Sequence, residues 1–236
     1  MNFTEAVIYQ PKQDIAGVRP YFVLPRQEDV AYFDSRGGAP EAELITWALQ
    51  FVDQGDRGSS ILDIGSHIGT WGITFATAGY DDVVCFEAQP WLAHLNRAGA
   101  ALNGLERWSH TCQSAALWND RRLLTLQAPY ADGGGGSVVV ITADPAVELE
   151  VQAWPLDTFH YQPRFMKIDV EGAELEVLRG AKTTIDAYKP TILFESWVEE
   201  RGQNAEETFR YLHDILDYRT VNVNGWPEMW LAEPKS

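Results

Sequence analysis

Positive charge is scarce in this sequence: 18 Lys and Arg stand against 34 Asp and Glu, a formal net charge of −16. So acidic a surface repels nucleic-acid phosphate and anionic lipid at long range. Neither nucleic acid nor membrane is therefore an expected partner, and a neutral or cationic small molecule, or a peptide, fits better. The same charge also serves plain solubility, and it describes the surface rather than any one site. Cysteine is nearly missing. Cys85 and Cys112 both fall in apolar stretches that read as strands, with neither a metal-binding spacing nor a disulfide framework. Buried free thiols in a reducing cytoplasm are the simplest expectation. Long apolar runs are absent too: none approaches the roughly 18 residues that span a bilayer. The opening MNFTEAVIYQPKQD has no basic segment followed by an apolar one, so no signal peptide is expected.

What is present is an alternation of short apolar runs and helical patterns. The 236 residues, 45% of them hydrophobic, suit one large domain with at most a small appendage. Residues 1–40 are irregular and read as a leader that could fold as a lid over a domain spanning 41–236. Pro40 is expected to open a helix with Glu41 and Glu43 in its first turn, where acids suit the helix dipole. Leu44, Ile45, Ala48, Leu49 and Val52 form its apolar face, and Gly55 and Gly58 end it. Then come a strand at 61–65, a helix at 69–78, a strand at 82–88, a helix at 90–104 and a strand at 108–116. This rhythm predicts parallel strands with crossover helices, an α/β, doubly wound, mostly parallel seven-stranded Rossmann-like sheet. Residues 119–153 break the rhythm and read as an inserted β-ribbon with a flexible DGGGGS turn. A strand at 164–169, a helix from about Ala173, a strand at 191–197 and a helix at 205–216 follow. An antiparallel C-terminal hairpin at 218–234 closes the sheet.

The segment Leu62-Asp63-Ile64-Gly65-Ser66-His67-Ile68-Gly69 carries the most chemistry. An apolar strand ends in an acid and a glycine, with a second glycine four residues on. Gly65 would let a ligand lie against bare backbone, and Gly69 would let the next helix start close to the sheet. Dinucleotide sites favour G-x-G-x-x-G, because a pyrophosphate needs several close amides. Here the spacing is G-x-x-x-G with an acid in front. An acid there repels a pyrophosphate, which disfavours an NAD-dependent oxidoreductase, yet it suits a ligand carrying an ammonium and a sulfonium. S-adenosylmethionine has both and no phosphate. Glu87 ends the next strand, where an acid accepts hydrogen bonds from ribose hydroxyls. Gln113 and Ser114, at the end of the third strand, could meet an adenine edge, and Trp91 or Trp118 could cover it.

With these motifs in view, the chain resembles the FkbM-type methyltransferases, a branch of the class I S-adenosylmethionine-dependent enzymes. LDIGSHIGTWGITFA resembles the family's first cofactor motif and VVCFEAQP its second. FMKIDVEGAELEVLRGA (165–181), followed by KPTILFES (189–196), is the strongest match. The resemblance implies that Asp63, Gly65, Gly69 and Glu87, with the intervening Ser66 and His67 and the adjacent Ala88, form the cofactor site. It also implies that Asp169 and Glu171 face the reaction centre. His67 stands where the family usually has Asn, and Ala88 where it usually has Pro.

Methyl transfer is an in-line displacement in which the protein mainly aligns the acceptor and removes its proton. Asp169, Glu171 and Glu195 are expected to converge on one mouth of the sheet. One of them could act as base or orient the acceptor. Alternatively, Asp169 and Glu195 could hold a divalent cation; no third neutral ligand is evident, so the metal-free reading is the expectation. Glu174 is read as a first-turn acid, Lys167 as the partner of a nearby acid, and Trp197 as a residue that could stack on an acceptor. The acceptor class suggested by the resemblance is a sugar or natural-product hydroxyl. An amide or peptide nitrogen, or a non-catalytic module that binds the cofactor, are the alternatives. Oligomeric state is not legible.

Overall fold

A computed structural model describes residues 6–52, 60–106, 110–128, 147–196 and 205–235. The N-terminal segment forms a short hairpin, β1 (Val7–Tyr9) with β2 (Phe22–Leu24), then α1 (Asp29–Ser35) and α2 (Ala42–Ala48). It is built into the core rather than laid over it. Tyr9, Ile15, Phe22, Leu24 and Phe33 are buried in the same apolar cluster as Leu44, Ile45, Ile61 and Phe75. Asn103 fastens it further, accepting from the Tyr21 N–H (2.8 Å) and donating to the Tyr21 carbonyl (2.7 Å).

The alternating part follows: β3 (Ser60–Ile64), α3 (Thr70–Thr77), β4 (Val83–Glu87), α4 (Pro90–Leu102) and β5 (His110–Ser114). Both β3 and β4 are buried along their whole length, as expected of central parallel strands covered on two faces. Next come β6 (Ala116–Leu117), β7 (Arg122–Ala128) and β8 (Val147–Trp154), which make a separate three-stranded sheet in the order β6-β8-β7. This is the predicted insertion; the glycine run and the VVVI segment (138–141) lie outside the described residues. The rhythm resumes with β9 (Pro163–Ile168), α5 (Glu174–Gly180), α6 (Lys182–Tyr188) and β10 (Thr191–Glu195). A helix over 205–210 runs into a π-helical turn at Tyr211–Ile215, and β11 (Tyr218–Val223) with β12 (Trp226–Pro234) close the fold.

The main sheet has the order β11-β12-β10-β9-β3-β4-β5. Strands β5, β4, β3, β9 and β10 run parallel, and β12 is antiparallel to both β10 and β11. The predicted doubly wound, mostly parallel seven-stranded sheet with its closing hairpin is what forms. Its order reverses beside β3, so the chain leaves the carboxyl ends of β3 and β9 to opposite faces. A crevice opens at such a switch point.

One helix start differs from the expectation. The helix begins at Ala42, and Glu41 precedes it with a left-handed backbone (φ 61°). That conformation turns the Glu41 side chain away from the helix axis, so it is not the solvated first-turn acid the pattern suggested. Among the described residues, no helix is long and apolar enough to cross a membrane.

Candidate active site

A cavity of about 470 Å³ sits at the carboxyl ends of β3, β4 and β9, within the size range of small-molecule sites. Its floor is the loop after β3, where Gly65, Ser66, His67 and Thr70 line it. Glu87, Ala88 and Gln89 contribute from the tip of β4, and Lys167, Asp169, Val170 and Glu171 from β9 and the turn beyond. The N-terminal segment closes one side with Arg26, Asp29, Tyr32 and Glu41. The insertion closes another with Leu117, Trp118, Leu124 and Leu126.

The floor loop is held by its neighbours. The Gly65 and Ser66 N–H groups donate to the Phe86 carbonyl at 2.9 and 3.0 Å, and the Asp169 N–H donates to the Ile64 carbonyl at 3.0 Å. Gly65 has φ +78°, and a Cβ there would overlap the Asp169 carbonyl oxygen. The glycine is therefore required first by the approach of the β9 turn, and only second by any ligand. Gly69 (φ +91°) does not line the cavity; a Cβ would come 2.6 Å from the Asn96 amide nitrogen of α4. His67 is also left-handed, at φ 51°. Asn and His are both enriched in that region, which explains how His replaces the family's usual Asn here.

Glu87 meets the sequence expectation. It is buried at the cavity wall, its Oε2 accepts the His67 N–H at 2.8 Å, and its Oε1 accepts the Gln89 N–H at 2.8 Å. Burial raises its proton affinity, and those two amides together with His67 oppose that. Each oxygen retains a lone pair, so the carboxylate is aimed and still able to accept two hydroxyls.

Asp63 departs from the expectation. It is buried beneath the loop and does not line the cavity. Its Oδ2 accepts the Gly72 N–H at 3.0 Å, capping the first turn of α3, and its Oδ1 faces the Lys167 ammonium at 3.9 Å. Its polar contacts are with the helix, Lys167 and Cys85. Gln113 and Ser114 also lie off the cavity, whose wall at the end of β5 is Ala115 and Ala116. Trp118 lines it and Trp91 does not.

Asp169 and Glu171 share the cavity as expected, but Glu195 does not join them. Its strand continues the sheet toward β12, where it pairs with Met229. The Asp169–Glu195 pair required by the cation alternative is thus not assembled in the cavity. Among the described residues, no group of three or more His, Cys, Asp or Glu is arranged to hold a metal ion. Glu174 accepts the Gly172 N–H at 2.9 Å, so it secures the turn carrying Glu171. Trp197 lies outside the described residues.

Sequence reasoning missed Glu41 as a cavity residue and underrated Lys167. Lys167 is buried, donates to Asp169 Oδ2 at 3.0 Å, and lies 5.8 Å from the Trp71 ring centre. Burial works against its charge, but Asp169, Asp63 and Glu41 outweigh that and hold it protonated. Glu41 accepts the Trp71 indole N–H at 2.7 Å. Burial pushes the carboxyls of both Glu41 and Asp63 up, with Lys167 opposing in each case. One cation serves three carboxylates in a water-poor space, and the shortfall appears as proton affinity on the two acids. A lysine inside the apolar run FMKID was the available signal, since lysine is almost never buried unless paired.

Comparisons with known proteins bear on the fold and the family. No curated protein matches the chain. Among solved structures, the fold is similar to methyltransferase FkbM from Methylobacillus flagellatus KT, with a TM-score of 0.50 at 17% identity. That match covers 75% of this chain and 44% of the other, so the chain spans less than half of that protein's length. It is also similar to an O-methyltransferase from Bacillus cereus in complex with SAH, with a TM-score of 0.51 at 14% identity over 88% of this chain and 86% of that one. Such identities speak for the fold alone. Residues 63–220, more than half of the sequence, match the methyltransferase FkbM domain family, and the chain belongs to that family.

Proposed function

We propose that the chain is an S-adenosylmethionine-dependent methyltransferase that binds its methyl donor in this cavity. The observation that carries the reading is Glu87: a buried carboxylate fixed by two backbone N–H groups at a strand tip, opening onto a bare-backbone loop one strand away. This is the arrangement that takes a ribose. The lining fits the rest of the donor. Acids predominate, with Asp29, Glu41, Glu87, Asp169 and Glu171 against Arg26 and Lys167. Such a lining favours a cationic ligand over a pyrophosphate. The apolar wall of Leu117, Leu124 and Leu126 can shield an uncharged ring system.

The donor supplies an electrophilic methyl group on a sulfonium. The protein supplies alignment and proton removal. Lys167 holds the Asp169 carboxylate in place at the cavity wall, and Glu171 stands two residues beyond on a turn with φ 55°. These two carboxylates are placed to orient an acceptor hydroxyl and take its proton. The acceptor favoured by the family likeness is a sugar or natural-product hydroxyl. The test is to incubate the chain with the donor and a panel of hydroxyl, amide and peptide acceptors, and to follow thioether release together with acceptor mass. A methylated hydroxyl supports the reading. A methylated nitrogen keeps the enzyme and overturns the acceptor class. A chain that does not bind the donor overturns the whole proposal.

A further inference from the structure

Glu41 is a cavity carboxylate to which the reading above gives no task. It is held in the left-handed region, where a non-glycine residue is strained, and its side chain lines the wall of the site. The groups facing it come from three elements: the Trp71 indole from α3, Asp63 from β3, and Lys167 and Asp169 from β9 and its tip. Its compensation is the poorest of the set. Glu87 is held by two amides, Asp63 by an amide and Lys167, and Asp169 by Lys167 at 3.0 Å. Glu41 has one neutral indole donor and a share of a lysine already engaged elsewhere.

We propose that Glu41 is the charge-compensating carboxylate of the site, carrying a proton while no cationic ligand is bound and releasing it when a sulfonium donor enters. The proposal rests on the S-adenosylmethionine reading and adds a proton balance to it. On donor binding, the O–H bond at Glu41 breaks and its proton leaves to solvent, so a carboxylate faces the sulfonium. As the bond from the methyl carbon to the acceptor oxygen forms and the S–CH3 bond breaks, its electron pair stays on sulfur. Glu41 then recovers the proton that the acceptor loses by way of the carboxylates at the tip of β9. The net charge of the site is thus the same before donor binding and after transfer. Glu41 also favours the sulfonium over the neutral thioether product, which helps the product leave.

Calorimetric titration of the whole chain tests this, with S-adenosylmethionine and separately with S-adenosylhomocysteine, near neutral pH in buffers of different ionisation enthalpy. The expected result is that the sulfonium releases more protons than the thioether, by up to about one per site. Glu41→Gln is expected to bind both ligands with no difference in proton release. Trp71→Phe keeps the carboxylate and removes its donor, so it moves the pH at which the difference is largest upward, and it serves where Glu41→Gln does not fold. Equal release by the two ligands in the wild type overturns the proposal, as does a difference that persists in Glu41→Gln or one whose pH dependence is unchanged in Trp71→Phe. A wild-type chain that binds neither ligand overturns the donor reading as well, whereas binding of both without a difference overturns the role of Glu41 alone.

Discussion

Strand β3 carries an acid one residue before its end and β4 carries one at its end, yet only the second lines the cavity. Asp63 points down into a buried polar cluster: Gly72 N–H, Lys167, and the Cys85 thiol at 3.8 Å, which in turn meets His110 Nε2 at 3.4 Å. Glu87 points up into the cavity and is aimed by backbone amides. Acids near the carboxyl ends of neighbouring parallel strands, two positions apart in register, can therefore face a helix amide in one case and a cavity in the other. What separates them is whether the carboxylate is buried beneath the loop or stands at the cavity wall.

That contrast can be broken or sharpened by measurement, starting with the largest effect. Asp63→Ala leaves Lys167 buried with one partner fewer and the Gly72 N–H without an acceptor. It should cost about 4 kcal/mol of stability in urea denaturation, with any loss of donor affinity following from the loosened loop. His110 tests the same cluster through pH. Burial holds its imidazole down to about 4 from 6.5. Between those values the unfolded chain binds a proton that the folded chain does not. This part of the stability is complete above pH 6.5 and is lost as pH falls toward 4, in total about 3 kcal/mol. His110→Gln should flatten the acid limb of the stability profile by that amount.

The cavity side should answer in function instead. Asp169→Asn should lower kcat about 100-fold while donor affinity, read by calorimetry, changes little. Glu87→Ala should weaken binding of S-adenosylhomocysteine about 30-fold, with a smaller loss of stability than Asp63→Ala. If Asp63→Ala and Glu87→Ala changed stability and affinity in the same ratio, the division between the two tips would be wrong. Gln113→Ala is the smallest case. Because it lies off the cavity, it should leave affinity within about twofold, as a surface change does.

The sheet was legible because β3 and β4 are buried on both faces and so read as unbroken apolar runs between helical patterns. The cavity acids at 87, 169 and 171 were legible because they follow such runs at strand ends, where a parallel sheet places its crevice. Asp63 and Glu195 have the same local pattern, and sequence alone does not reveal that one carboxylate bonds a helix amide beneath the loop or that the other lies on the strand paired with β12, off the cavity. Glu41 was hidden for a different reason. Its role depends on a left-handed backbone angle, which leaves no mark in the residue pattern, so it passed for an ordinary first-turn acid. The leader's contribution to the core was missed because its buried residues are spread over irregular chain with no period to read.

The most direct measurement is a crystal structure of the chain with S-adenosylhomocysteine. The expected result is a ribose on the Glu87 carboxylate above the Gly65–His67 backbone, with Asp63 still bonded to Gly72 below. A nucleoside held elsewhere, or a Glu87 turned away from it, would contradict the assignment.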